Sequence, residues 1–392
     1  MADAWSSSFR DTVRVFVMAD HLGYAHGWTH GGTTYFLNVL PALQDAGYAL
    51  KVVFLGPWHR AVRRLTEAGV EVQFLGLGKW DPRAAVAFER QLDEHQPHVV
   101  HLHSFRSHLF GRLAAHRRGI ASVVHVHDQN AMPRPVRAAQ RLLGPGTAAL
   151  VGVSETVTRF ASREYAVAPD RCHTVVHGLD LSRFMHVSAQ AAAAARHELG
   201  TPAEAPLIAM VGRVIPGKGQ DQLIRAMPTV LRHMPEARVW IIGDGDARPG
   251  HEALARELGV DQAVQWLGQR DDVAPLLAAA HLAVVPSMCE EGFGFVALEA
   301  MACGKPVIAY DSGALASLVD DGRTGRLVPR GDVDGLAQAI VDALHRPLWQ
   351  AVAGRRAREH AKRFTLQRHV AAMGQVYRQA MRLHSPAMGV GT

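Results

Sequence analysis

Two glutamates, Glu291 and Glu299, stand with seven residues between them in the segment PSMCEEGFGFVALEAMACGKPVIAYDSG, residues 286–313. Glu291 precedes a Gly-x-Gly turn, Gly292-Phe293-Gly294, and Glu299 falls inside a helix that the pattern starts near Phe295. Glycines in such a turn reach backbone conformations closed to other residues and let a ligand approach the main chain. The N–H groups at the start of the following helix, with its dipole, favour a phosphate. A carboxylate one turn into that helix could bind a ribose diol, as acidic residues do in dinucleotide sites. The alternative reading is a strand, turn and helix that carry two exposed glutamates.

A second segment, MVGRVIPGKGQDQLIRAM (210–227), ends a strand at Arg213, turns through glycines and puts Lys218 at a helix start. A cation there works against the helix dipole unless an anion lies between them. Arg213 offers a planar fork and Lys218 a point charge, a combination suited to a diphosphate; two surface cations are the alternative. Gly31-Gly32 opens a helix after the first strand and resembles a phosphate-binding turn. The chain has no Gly-x-Gly-x-x-Gly there and no P-loop, which disfavours a dinucleotide oxidoreductase. In VVHVHDQN a strand ends in His127-Asp128, a position where a histidine is a candidate for function. His101-Leu-His103 and His125-Val-His127 each put two imidazoles on one face of a strand. Such pairs can ligate zinc, so a metal-dependent hydrolase is a rival reading. Its alternative is a histidine of each pair packed or hydrogen-bonded near a sheet edge.

The elements that must carry these residues are short β-branched runs alternating with amphipathic segments. Strands are expected at 13–19, 49–55, 71–75, 98–103, 122–127 and 149–153, with helices at 33–46, 83–95 and 105–118. Runs apolar on both faces, such as VRVFVMA, point to a parallel sheet covered by helices on each side. After a polar and Ala-rich stretch, 180–206, read as a linker with one surface helix, the rhythm restarts. Strands are then expected at 207–211, 238–242, 264–267, 282–285 and 306–310. The expected architecture is α/β, two open parallel sheets facing one another, with ligands at the carboxyl ends of the strands. The last helical stretch, 349–382, breaks at Phe364-Thr365, and residues 385–392 are expected to fray.

The 392 residues suggest two domains, and 48% hydrophobic against 20% charged residues excludes disorder and collagen-like repeats. A formal charge of +6 favours anionic ligands without choosing among them. Three scattered cysteines make no disulfide framework and favour a reducing cytoplasm. The N-terminus shows no secretory pattern, and no apolar run reaches the roughly 20 residues of a membrane-spanning helix. Basic stretches at 59–65, 105–119 and 134–144 are read either as solvated helix faces or as a surface for anionic lipid. Aromatic residues are not interleaved with these cations, which argues against nucleic acid as a partner.

These residues together resemble the retaining glycosyltransferases of the GT-B fold, glycosyltransferase family four, over nearly the whole chain. EGFGFVALEAMACGKPVIA is similar to that family's Glu-x7-Glu element, and GRVIPGKG to its Gly-Arg…Lys-Gly element. TGRLVP from Thr324 is similar to its recurrent late strand, while VSE (153–155) and HGLD (177–180) match positions that close its first domain. The resemblance implies an acceptor-binding domain, 1–180 plus a returning helix at about 365–385, and a nucleotide-sugar domain, 181–364. It implies that Glu291 contacts donor-sugar hydroxyls, and that Gly292, Phe293 and Gly294, leading into Phe295, offer backbone N–H groups. It also implies that Glu299 holds the ribose hydroxyls and that Arg213 and Lys218 neutralise the departing diphosphate. Gly31 and Gly32 would meet the diphosphate, His127 the donor sugar, and residues up to Arg270 the base.

The family's usual Asn is His177 here, and SGALAS replaces its paired glycines and Pro-Glu, which bears on which sugar is held. The implied reaction moves a hexose-type sugar from a nucleotide diphosphate sugar to an acceptor hydroxyl with retention. UDP is the first expectation for the nucleotide, followed by GDP and dTDP; no cofactor or metal is required. The acceptor would be a lipid, a thiol-cofactor precursor, an exopolysaccharide or an antibiotic core. The expected location is cytoplasmic, with possible peripheral contact at the inner face of the membrane through the N-terminal basic helices.

Overall fold

A computed structural model describes residues 12–23, 31–78, 81 and 83–384. The N-terminal residues read for a targeting signal, most of the turn leading to Gly31, and the tail 385–392 lie outside the described residues. The chain divides into two compact units. Unit 1 runs to Leu179 and resumes at Leu366; unit 2 is Asp180–Thr365.

Among the described residues, unit 1 holds seven strands: β1 (Arg14–Ala19), β2 (Ala49–Phe54), β3 (Val72–Phe74), β4 (Val99–His103), β5 (Ala121–Val126), β6 (Ala149–Gly152) and β7 (Cys172–Thr174). They form one sheet in the order β3-β2-β1-β4-β5-β6-β7, every pairing parallel. Unit 2 holds β8 (Leu207–Val211), β9 (Arg238–Ile242), β10 (Val264–Gly268), β11 (Leu282–Val285), β12 (Val307–Tyr310) and β13 (Gly325–Val328). Its order is β10-β9-β8-β11-β12-β13, again parallel. Both sheets reverse direction of growth once, between β1 and β4 and between β8 and β11. These are the switch points where a doubly wound sheet opens a crevice at its carboxyl edge.

Burial explains why the strands read as continuous apolar runs. Every residue of β5, β6 and β12 is buried, as it must be where helices cover both faces. Phe16, Met18, Val53, Phe88, Val100 and Leu102 centre one core of unit 1. Ile208, Met210, Leu223, Ile224, Ile241, Leu336 and Ile340 centre that of unit 2.

The stretch 180–206, read as a linker with one surface helix, keeps that helix but is not a free linker. It forms the helices Ser182–Met185 and Ala189–Glu198 and belongs to unit 2. Buried Arg196 anchors it by donating to the carbonyls of Ala279 (3.0 Å), Pro202 (2.8 Å) and Ala205. A planar guanidinium can satisfy several carbonyls at once, which poly-Ala composition does not reveal. The break near Phe364 separates the helix Pro347–Ala361 from the helix Leu366–His384, and the second packs into unit 1. No helix among the described residues is long and apolar enough to cross a membrane.

Candidate active site

In unit 2 the two motif segments are the loops that leave β8 and β11, the strands flanking the switch point. Backbone hydrogen bonds tie the loops together: the Gly217 carbonyl accepts from the N–H groups of Met288 (2.9 Å) and Cys289 (3.2 Å). Gly219 has φ of +86°, and a Cβ there would lie 1.8 Å from the Pro286 carbonyl oxygen. Glycine is therefore required on two counts, conformation and space. Across this junction Lys218 Nζ meets Glu291 Oε1 at 2.6 Å, with both side chains mostly screened from solvent. The Arg213 carbonyl accepts from Gln220 Nε2 at 2.9 Å, fixing the turn before the helix Gln220–His233.

The Glu291 end of the second loop is held from below. Its carbonyl accepts from the Ala314 N–H at 2.7 Å, and Gly313, with φ of +55°, leaves no room for a Cβ against it. Gly292 and Gly294 lead into the helix Phe295–Ala302. Phe293 turns its ring inward, packing edge-on against Phe295 at 5.1 Å and Phe364 at 5.8 Å, so the main chain is the part presented along the turn. The first N–H groups of any helix have no intrahelical acceptor, which makes this turn chemically suited to an anion. Glu299 lies one turn along and is only 8% exposed. Burial raises its carboxyl to about 7, against a smaller opposing pull from Arg183. Arg270 follows β10, where its guanidinium is forked onto Asp272 (2.6 and 2.7 Å) and reaches Glu198 at 3.5 Å.

In unit 1, Gly31 and Gly32 are the first residues of the helix Gly31–Asp45, and Thr33 Oγ1 donates to the Leu22 carbonyl at 2.7 Å. His127 follows β5 and is one member of a larger cluster. His103 on β4 lies directly opposite His125 on β5, and His101 and His127 lie two residues before and after these on the same face. His101 Nε2 and His125 Nδ1 are 3.1 Å apart, His103 Nδ1 and His127 Nε2 2.7 Å, and His127 Nδ1 and His177 Nε2 3.3 Å. The helix Leu366–His384 adds His369, whose Nδ1 lies 2.9 Å from the Val176 carbonyl, and Tyr377, whose hydroxyl is 2.8 Å from His101 Nδ1. The Tyr35 ring sits among them, with centroids 4.8 Å from His177, 5.0 Å from His127 and 5.2 Å from His125. Desolvation keeps these imidazoles neutral. It depresses His127 to about 3 and His369 to about 4, and holds His101, His103, His125 and His177 well below the usual range.

The sequence placed two histidine pairs on strand faces but did not bring them together. Parallel β4 and β5 put all four on one buried face, instead of leaving one of each pair at a sheet edge. Tyr35, His369 and Tyr377 were missed, and no local pattern marks them: Tyr377 and His101 are 276 residues apart. Several cations of the stretch 105–119 have partners at home. Arg112 is buried, Arg106 faces Asp20, Arg117 pairs with Glu89 at 2.8 Å and Arg118 with Asp93 at 2.7 Å.

Over residues 205–346 the chain matches the family described as glycosyl transferases group 1, and over 29–183 the one described as glycosyltransferase family 4. It is 35% identical to D-inositol 3-phosphate glycosyltransferase 2 of Catenulispora acidiphila, across 94% of this chain and 95% of that protein. It is 36% identical to the D-inositol 3-phosphate glycosyltransferase of Saccharomonospora viridis, across 72% and 70%. A glycosyltransferase from Rickettsia africae shares the fold with a TM-score of 0.85 at 18% identity, covering 95% of this chain and 99% of its own. HepE of Anabaena in complex with UDP superposes with a TM-score of 0.82 at 20% identity, covering 93% and 99%. The rival reading as a metal-dependent hydrolase gives way to these matches. They span both parallel-sheet units and, in one curated relative, almost the full length, so the chain belongs to glycosyltransferase family 4 and is a glycosyltransferase of GT-B type.

Proposed function

We propose that the protein transfers a hexose-type sugar from a nucleotide diphosphate sugar to an acceptor hydroxyl with retention at the anomeric carbon. The observation that carries this reading is the junction of the β8 and β11 loops, which gathers Lys218, Glu291 and a helix start at the switch point of unit 2. The leaving group is a diphosphate, and its growing charge is the main electrostatic problem of the reaction. Arg213 and the N–H groups around Gly292–Phe295 answer it with positive ends already in place, and Lys218 joins them once its ion pair with Glu291 opens. Glu291 gives up Lys218 to the incoming diphosphate and turns its oxygens to donor-sugar hydroxyls. Glu299 accepts from the ribose diol, and Arg270 lies beside the base.

Among the described residues no carboxylate is an obvious nucleophile of the retaining-glycosidase kind, so we favour attack from the face the diphosphate leaves, with a phosphate oxygen taking the acceptor proton. The roles of Gly31, Gly32 and His127 toward the donor rest on the family resemblance. No metal takes part in this scheme, the cations of the chain supplying the charge.

Curated relatives named for D-inositol 3-phosphate support a polyol phosphate as acceptor, and neighbours solved with UDP and UDP-glucose support a UDP-sugar as donor. A Corynebacterium glutamicum relative named as GDP-mannose-dependent keeps GDP-sugars in the test. Incubation of the protein with UDP-, GDP- and dTDP-sugars and an inositol phosphate should release one nucleoside diphosphate per glycoside formed. Proton NMR of the product should show the anomeric configuration of the donor. An inverted product, or release of diphosphate with no glycoside, would overturn the proposal. Peripheral membrane contact is proposed only for the helix Arg134–Leu142, which presents basic residues beside an exposed Leu142. Salt-sensitive sedimentation with anionic vesicles tests it, and absence of binding at low salt removes it.

A further inference from the structure

The imidazole cluster of unit 1 exceeds what the transfer reading needs, since that reading asks for His127 alone. One ring nitrogen from each of His101, His103 and His125 lies within 4.8 Å of the other two, and the same holds for His125, His127 and His177. Two nitrogens bound to one tetrahedral zinc ion, each at about 2.0–2.1 Å, stand about 3.3–3.4 Å apart. The 3.1 Å between His101 Nε2 and His125 Nδ1 is close to that spacing.

The hydrogen bonds within the cluster cannot satisfy it. A neutral imidazole has one N–H and one lone pair. If His101 donates to His125 Nδ1, His125 must carry its own proton on Nε2, a buried donor that meets no acceptor. If His125 donates instead, its Nε2 lone pair faces the interior with no donor. Both tautomers leave the same orphan, and His125 Nε2 is buried without a hydrogen-bond partner. His103 Nε2 and His369 Nε2 share that condition. Buried polar groups are normally satisfied; of these exceptions His103 Nε2 is the one whose lone pair an ion would use, since ligation through His125 Nδ1 leaves His125 Nε2 an N–H.

We propose that His101, His103 and His125 form a binding site for a zinc-class divalent cation, seated between β4, β5 and the C-terminal helix. Neutral imidazole is the form that ligates, and its nitrogen selects zinc-class ions over magnesium or calcium, which prefer oxygen. Tyr377, 2.8 Å from His101 Nδ1, would orient one ligand from the outer shell, as second-shell partners of metal-bound histidines do. The ion would fasten the helix Leu366–His384 to the sheet. It has no place in the transfer step, so the proposal stands or falls separately from the proposed reaction.

The test uses the full-length protein stripped by chelator and then dialysed against zinc ion alone. About one tightly held zinc per chain is expected, with a raised melting temperature through mass action. His103→Gln and His125→Gln should each weaken binding by at least the roughly 10–100-fold that loss of an outer-shell partner costs. His233→Ala, at an exposed histidine of unit 2, should leave it unchanged. Zinc-edge X-ray absorption of the wild-type protein gives a reading that needs no variant, and it should show about three imidazole nitrogens at about 2.0–2.1 Å. Uptake well below stoichiometric, a Gln variant that binds zinc as tightly as the wild type, or a shell with fewer than two imidazoles would each overturn the proposal.

Discussion

Glu299 makes a quantitative prediction about donor binding. Its carboxyl is raised to about 7 by burial in the ligand-free protein. A ribose diol donates hydrogen bonds, and it does so best to the ionised form, so binding pulls the same carboxyl back toward its ordinary range. Affinity for the nucleotide sugar should therefore follow the ionised fraction of the free protein. With a midpoint of about 7, that fraction is roughly one-tenth at pH 6 and nine-tenths at pH 8, a tenfold gain in affinity worth about 1.4 kcal/mol. UDP-glucose suits the measurement because its diphosphate diester carries constant charge over this range. Calorimetry in buffers of different ionisation enthalpy should find nearly one proton released per binding event at pH 6 and few at pH 8. Glu299→Gln should bind more weakly at pH 8, with a flat pH profile and no proton release.

The sign for stability is opposite. A carboxyl raised on folding stabilises the native state fully below its ordinary value of 4.5, and that contribution is lost as pH rises through about 7. The ligand-free protein should therefore lose stability over that window, and Glu299→Gln should remove this component. A wild-type affinity that is constant from pH 6 to 8, or a pH profile that survives in the Gln variant, would refute the assignment of Glu299 to the ribose.

Other expectations follow from the same geometry. Lys218→Ala should lower kcat about 100–1,000-fold, the range for loss of one preorganised charge-stabilising group, while the melting temperature changes little; a loss under tenfold would remove Lys218 from the diphosphate. Gly219→Ala should cost at least about 2 kcal/mol in denaturant unfolding, because its Cβ would meet the Pro286 carbonyl at 1.8 Å in a left-handed conformation. It should also weaken donor binding, since it pushes the β8 and β11 loops apart. Arg112→Met should destabilise the protein by about 2–4 kcal/mol, measured by the same method. It strips the donors from the His108 carbonyl (2.8 Å), Thr147 Oγ1 (3.0 Å) and the Gln140 carbonyl (3.1 Å). A change within 0.5 kcal/mol would show that those acceptors find replacements.

Much of the architecture is legible in the sequence, because strands buried on both faces are mostly apolar, even where β4 and β5 carry buried histidines. The bounds expected for β8, β9 and β11 match those found, and the helix at 83–95 is the observed Arg83–His95. The failures have physical causes. β7 is a three-residue edge strand, Cys172–Thr174, half-exposed and polar, so it lacks the signal of a buried strand. β13, Gly325–Val328, was legible only by resemblance, because its first residue is a glycine whose Cβ would meet the Val307 carbonyl at 1.9 Å. The stretch 180–206 looked like a linker because alanine carries little hydrophobic pattern, while the buried group that anchors it is an arginine. In the candidate site, Glu291, Glu299, Arg213 and Lys218 were singled out because each lies in a local segment with a glycine turn. The imidazole cluster draws on strands β4 and β5, the segment after β7 and the last helix, a convergence only the folded chain reveals.

The return of Leu366–His384 to unit 1 has a consequence for synthesis. Unit 2 is one uninterrupted stretch of chain, whereas unit 1 is made from both ends. A ribosome delivers residues in order, at about 5–20 per second. The first sheet therefore emerges early but waits, without the helix that carries His369 and Tyr377, until all of unit 2 has been made. During that interval the histidine face of β4 and β5 lacks the cover that this helix gives it. A stop codon or a proteolytic cut ahead of residue 366 would leave unit 2 contiguous and unit 1 without the helix Leu366–His384, so damage on the far side of unit 2 is felt in the core of the first domain.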